Sequence, residues 1–139
     1  MDMETVIADT GFIVALTNIS DPKHGLVKNV YLKQQNMLMP QTVLAEVAYL
    51  VGREAGVKNV ATFLQGLSKS RFSLIALTTE DILRIAEILE NYIDSRIDFV
   101  DASVMAMAER LNITTILTLD YRDFSLFRPK HCDAFVLLP

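Results

Sequence analysis

The sequence has a single cysteine, so no intramolecular disulfide can form, and Cys132 reads as a small core side chain in a reducing compartment. No apolar run approaches the roughly 18–20 residues needed to cross a bilayer. The acidic opening Met-Asp-Met-Glu lacks the basic flank and apolar stretch of a secretory signal. These absences predict a protein that works in solution in the cytoplasm, with no membrane partner. No Pro-, Gly- or Ser-rich linker, internal repeat or low-complexity tract divides the chain, so residues 1–139 are expected to form one domain. Neither GxxxxGK[ST] nor GxGxxG occurs, which disfavours a nucleotide-binding domain. Two histidines outside the acidic motifs and a single cysteine argue against a zinc site, and no Ser-His-Asp or Cys-His arrangement competes as nucleophile and base. His24 and His131 read as surface residues.

Positive charge is also scarce. Thirteen Lys and Arg against seventeen Asp and Glu give a net charge of −4, whereas most phosphate-binding proteins are basic. The deficit equals the four carboxylates described below. If those four hold divalent cations, the bound metal reverses the local sign where a phosphate would sit.

What is present is ample apolar material, 51% of residues, arranged as short β-type runs alternating with longer helical ones. Thr5 to Ala8 predicts a buried strand, followed by an apolar helix over Phe12 to Asn18. Asp21-Pro22 predicts the cap and first position of a helix carrying Leu26, Val27, Val30 and Tyr31 at helical spacing. Met37 to Met39 predicts a strand stopped by Pro40. Helices are expected over Thr42 to Arg53, ending near Gly56, and over Val60 to Leu67. Phe72 to Leu77 predicts a strand. Thr79 is the expected cap of a helix with Ile82, Ile85, Ala86 and Leu89 on one face. Asp98 is expected to cap a helix reaching Leu111. Thr114 to Leu117 and Ala134 to Leu138 complete the strands. Strands separated by helices imply right-handed crossovers, hence an α/β fold with a mostly parallel sheet and helices on both faces.

Four acids stand in apolar surroundings. Asp9 closes the strand in VIADTGFIVAL, and Glu46 is the only charge in TVLAEVAYLV. Asp101 lies in DFVDASVMAMAERL, and Asp120 ends TTILTLD. A helix that is apolar all round is normally buried. A carboxylate there must be paired, protonated or metal-bound, because an isolated buried charge costs several kcal/mol or more. Each acid has an ordinary explanation. Arg53, seven residues beyond Glu46, could cover it. Asp101 falls at the third helical position after the Asp98 cap, where the helix dipole favours negative charge. Asp9 and Asp120 could be turn residues. One cation site accounts for all four together. Asp9 and Asp120 follow strands, at the carboxyl edge where open parallel sheets bind ligands. Glu46 and Asp101 are expected in first helical turns at that same edge. Hard oxygen donors without His or Cys select Mg²⁺ or Mn²⁺.

In this order, the segments resemble the PIN-domain nucleases, especially the prokaryotic VapC-type toxins. The resemblance spans nearly the whole chain: Asp9-Thr10 at the start, Glu46 in the helix after the second strand, and FVDASVMAMAERLNITTILTLDYRDF from Phe99 to Phe124. It implies a three-layer α/β/α sandwich in which Asp9, Glu46, Asp101 and Asp120 are the metal-binding, catalytic acids. It also implies that Thr10 and Thr118 hydrogen-bond within the site. Asp98 is an added ligand or a helix cap, and the cap is favoured; Asp123 is assigned a structural role. The implied activity is metal-assisted hydrolysis of RNA phosphodiester bonds. An antitoxin partner and a homodimer follow from kinship alone. Arg122, Arg128 and Lys130 could guide the phosphate backbone, or could belong to an ordinary solvated loop. An aspartyl phosphotransferase built on Asp9 is disfavoured, since Asp-x-Asp-x-Thr would need an acid at position 11, where glycine stands. The alternative from another class is a PIN-like module that binds RNA or protein without cutting.

Overall fold

Residues 4–139, those described in the computed structural model, alternate between short strands and helices. The first half comprises β1 (Thr5–Ala8), α1 (Thr10–Thr17), α2 (His24–Lys33), β2 (Asn36–Pro40), α3 (Gln41–Ala55) and α4 (Val57–Leu67). The second comprises β3 (Phe72–Ile75), α5 (Thr79–Asn91), α6 (Phe99–Arg110), β4 (Thr115–Leu117), α7 (Tyr121–Leu126) and β5 (Val136–Leu138). The five strands form one sheet in the order β3-β2-β1-β4-β5, and every pairing is parallel. In the central strand β1 and its neighbour β4, adjacent residues that point to opposite faces are buried: Val6, Ile7 and Ala8 in β1, and Thr115, Ile116 and Leu117 in β4. Only a sheet covered on both faces buries such runs, so the architecture is the three-layer α/β/α sandwich expected.

The strand order creates the site. After β1 the chain builds outward to β2 and β3, then returns to place β4 on the other flank of β1. The carboxyl ends of β1 and β4 therefore lie side by side, and the amide of Asp9 donates to the Leu117 carbonyl at 2.8 Å. This is the switch point at which adjacent connections diverge and leave a crevice. Below it, α6 runs through the core with Ala102 to Ala108 buried without interruption.

Several local expectations shift. Asp21 does not cap α2: its carboxylate accepts from the Lys23 amide at 2.8 Å and its carbonyl from the His24 amide, forming a turn, so the helix starts at His24. The cap of α5 is Thr78, one residue before the expected Thr79, in a reciprocal box with Asp81. The buried face of α5 is Asp81, Ile85 and Ile88, while Ile82 and Ala86 face outward. Both histidines are half-buried and meet main-chain carbonyls: His24 with Ala15 at 2.9 Å and His131 with Ile113 at 2.7 Å. α7 was not anticipated. The α3–α4 junction turns on Gly56, whose φ of +88° is a conformation that side chains disfavour.

Two ion pairs clamp α5 to α6. Arg84 grips Glu109 through two bonds of 2.7 and 3.1 Å, and Arg110 donates to Asp81 at 2.9 Å. Burial pushes the Asp81 carboxyl upward, but the Arg110 hydrogen bond, with help from Thr78, outweighs this and holds it below its ordinary range. Asp81 thus closes the capping box of one helix while anchoring another, and it is 2% exposed. Asp81→Ala is expected to cost about 2–3 kcal/mol in urea unfolding, from the lost charged hydrogen bond to Arg110 and the lost acceptor for the Thr78 amide. Arg53→Ala, which breaks an exposed pair with Glu54 and an exposed contact with the Tyr49 ring, should stay within about 0.5 kcal/mol of the parent. Equal losses would show that burial does not set the strength of these pairs.

Candidate metal centre

Asp9 stands at the N-cap position of α1 immediately beyond β1, makes no side-chain capping bond there, and is 5% exposed. Its Oδ2 accepts from the Thr118 hydroxyl at 3.2 Å, and the Thr10 amide also donates to the carboxylate. Thr118, at the end of β4, accepts in turn from the Asp120 amide at 2.9 Å. One hydroxyl therefore ties together the acids that follow β1 and β4.

The other aspartates come in two matched pairs. Asp98 caps α6 and accepts from the Asp101 amide at 2.9 Å, while Asp101 returns a bond from the Asp98 amide at 3.1 Å. Asp120 caps α7 and accepts from the Asp123 amide at 3.1 Å. Each pair has the Asp-x-x-Asp spacing at a helix N-terminus, where the helix dipole and free amides favour negative charge. α6 follows the α5–α6 loop rather than an extended segment, so it is the capping geometry that delivers Asp101 to this edge. Carboxylate oxygens of Asp101, Asp120 and Asp123 lie within 4.8 Å of one another. Glu46 lies in the second turn of α3, not the first, and is half-buried. α3 is tied to α6 by the Thr42–Ser103 hydroxyl contact at 2.6 Å.

Among the described residues, no Lys or Arg forms an ion pair with Asp9, Glu46, Asp98, Asp101, Asp120 or Asp123. Arg53 turns to Glu54 instead of covering Glu46. The electrostatic consequence is large. Burial, with the charges of Asp120 and Glu46 adding, pushes the Asp9 carboxyl up to about 6 despite the hydrogen bonds from Thr10 and Thr118. Asp101 is pushed up to about 8, first by burial and then by Asp9 and Asp98, against the opposing bond from the Asp98 amide. Asp123 is also raised, by burial and by Asp120. Like charges crowded without a counter-cation must hold protons or a metal. An oxygen-only donor set suits a hard divalent cation. The Thr10 hydroxyl is buried beside Asp9 with no hydrogen-bond partner among the described residues, as expected where water or a ligand completes the site.

The site thus brings Asp9, Asp101 and Asp120 to one sheet edge, with Glu46 close enough for its charge to act on Asp9. Asp123, assigned a structural role from sequence, lies within the acid cluster and is 8% exposed. Its three-residue spacing from Asp120 repeats that of Asp98 and Asp101, a signal readable only once α7 is recognised. Asp98 is a cap.

The raised carboxyls make stability depend on pH. The folded protein retains protons on Asp9 and Asp101 that the unfolded chain releases near pH 4. Their stabilising contribution is complete below about pH 4 and is lost as pH rises through about 6 for Asp9 and about 8 for Asp101. Without metal, the melting temperature is expected to fall between pH 5 and pH 8. Asp101→Asn, which keeps an acceptor for the Asp98 amide, should flatten that fall. Added Mg²⁺ or Mn²⁺ should restore the parent's melting temperature more at pH 8 than at pH 5.5, with protons released on binding. Melts that ignore both pH and metal would contradict this account.

Residues 6–128 match the PIN domain family. Ribonuclease VapC26 of Mycobacterium tuberculosis is 32% identical over 135 residues, covering 96% of this chain and all of the relative. Among solved structures, M. tuberculosis VapC20, described as a sarcin–ricin loop cleaving toxin, superposes with a TM-score of 0.78 at 22% identity, over 85% of this chain and 92% of the other. The DNA-bound VapBC complex of Salmonella typhimurium gives 0.69 at 13% identity, over 97% of each chain. With a family match across most of its length and a near full-length relative, this chain belongs to the PIN domain family.

Proposed function

We propose that this chain is a metal-dependent endoribonuclease, a single PIN-like domain acting as the toxin of a toxin–antitoxin pair. The observation that carries this reading is the convergence of unpaired acids, with oxygens of Asp101, Asp120 and Asp123 within 4.8 Å of one another beside buried Asp9. The relative named as a ribonuclease and the structural neighbour named as an RNA-cleaving toxin support RNA as substrate. The VapBC neighbours support an antitoxin partner. Cytoplasmic location and a homodimer complete the proposal, and no helix among the described residues is long and apolar enough to cross a membrane.

Asp9, Glu46, Asp101, Asp120 and Asp123 would hold Mg²⁺ or Mn²⁺. When bound, such a cation polarises the phosphoryl oxygens and lowers the pKa of an attacking water. The protein's own contribution is placement. Thr118 fixes the Asp9 carboxylate and the Asp120 amide, and the two helix caps hold Asp101 and Asp120 at rigid helix starts. Such constraint limits the reorganisation needed when a phosphate enters. Asp98 supports Asp101 through its amide and carboxylate, and acts as a positioning residue.

A labelled RNA pool incubated with Mg²⁺, with Mn²⁺ and with EDTA tests this reading. Cleavage is expected with either metal and not with EDTA. Asp101→Asn should lower the rate by about 10³-fold, corresponding to several kcal/mol of lost transition-state stabilisation, while circular dichroism stays unchanged. Cutting that persists in EDTA, or at full rate in the variant, would refute the mechanism.

A further inference from the structure

Beside the acid cluster is an open cavity of about 310 Å³ between the α5–α6 loop and α7. Asp123 forms part of its wall, so the cavity adjoins the metal centre, and Arg96 and Arg122 line it from the two sides. These arginines differ from the rest. The chain has seven, and five of them use the guanidinium on the protein itself: Arg53 on Glu54, Arg71 on main-chain carbonyls beside Tyr31, Arg84 on Glu109, Arg110 on Asp81, and Arg128 on the Ser125 carbonyl. Arg96 and Arg122 alone donate no hydrogen bond to any described residue, and both are exposed. The two unoccupied guanidiniums thus share one cavity, next to the site where a phosphodiester is to be cut.

The walls that carry them are firmly built. In the α5–α6 loop the Ser95 hydroxyl donates to the Tyr92 carbonyl at 2.7 Å and accepts from the Ile97 amide at 3.1 Å. The Tyr92 ring packs on Phe127 with centroids 5.5 Å apart, and its hydroxyl accepts from the Arg128 amide. Arg122 is held by α7, whose start is capped by Asp120. Arg96 is close enough for its charge to act on Asp123 without an ion pair forming. Asp94, exposed on the lining, is the one opposing charge not committed to the acid cluster.

We infer that Arg96 and Arg122 form a phosphate-binding subsite that holds the RNA backbone one step from the scissile bond, so that the neighbouring phosphodiester is presented to the acid cluster. The inference rests on the nuclease reading above. Guanidinium groups suit phosphate because their planar fork offers several donors to its oxygens. The subsite places positive charge beside a centre whose own acids would otherwise repel the backbone. It also explains how a chain of net charge −4 engages RNA, with local placement substituting for a basic surface.

The test uses full-length protein with Mg²⁺, comparing Arg96→Ala, Arg122→Ala, the double variant, Arg96→Lys, Arg122→Lys, Asp94→Asn and the charge control Arg53→Ala. Cleavage kinetics are read on labelled RNA. In parallel, the salt dependence of RNA affinity is measured in an Asp101→Asn background, in which cutting is slow enough for binding to equilibrate first. Each alanine variant is expected to raise KM about tenfold with little change in kcat, as loss of a charged contact predicts. Each should also flatten the salt slope of binding by about 0.7, the value for one single-strand phosphate contact. Lysine should restore part of both, and Asp94→Asn should tighten binding. Arg53→Ala should behave as the parent. Unchanged KM and salt slope in the double variant of an active enzyme would overturn the subsite, as would an equal effect of Arg53→Ala. If the arginines instead seat an acidic protein segment, RNA binding will not respond to them. A parent that cuts no RNA with either metal refutes the nuclease reading, and the binding arm still decides the subsite: a flattened slope supports it, and an unaltered slope or absent RNA binding overturns it.

Discussion

Carboxylates crowded at the switch point of a parallel sheet, with no protein cation among the described residues to neutralise them, are the constraint on which the rest of this structure depends. Such a cluster is unfavourable in the folded state, and the raised proton affinities of Asp9, Asp101 and Asp123 register that cost. Two features make it tolerable. Asp101, Asp120 and Asp123 sit at helix starts, where the helix dipole favours negative charge. Their platform is a strand pair buried on both faces, so the backbone cannot relax the acids apart. The strongest cation–carboxylate pairs lie elsewhere, between α5 and α6, and stabilise the fold without touching the site.

The two Asp-x-x-Asp pairs show how one local interaction serves both ends. As caps, Asp98 and Asp120 define where α6 and α7 begin. The same three-residue reach points the second acid of each pair toward the other. Capping therefore stabilises the helices and simultaneously assembles like charges that only a proton or cation can reconcile. A site built this way is expected to be less stable empty than filled, the usual relation between a functional cluster and its host fold.

The acid cluster and the neighbouring cavity are complementary halves of one surface. A polyanion approaching the acids meets repulsion unless positive charge is placed close by. Arg96 and Arg122 are the two arginines that donate no hydrogen bond to any described residue, and both line the cavity that Asp123 borders. Sequence distance hides this arrangement: Arg96 belongs to the loop before α6, and Arg122 to the helix after β4.

The α/β class, the parallel sheet, most helix spans and the loneliness of Asp9, Glu46, Asp101 and Asp120 in apolar segments were all legible in the sequence. Each rests on periodicity, capping residues or local composition, which act over a few neighbours. Helix starts moved by one or two residues at Asp21 and Thr78, because competing turn and cap bonds are decided by side-chain geometry. The outward turn of Ile82 and Ala86 depended on which face of α5 meets α6. α7 was missed because six residues give too little periodicity to reveal a helix, and with it went the signal for Asp123. Arg53 was the natural local partner for Glu46, yet its guanidinium bonds Glu54. The sequence by itself thus determined which residues carry charge into an apolar fold. Only the tertiary structure decided which charges meet and which stay unpaired, because strand order and helix packing join residues 109 positions apart, as in the Thr118–Asp9 bond.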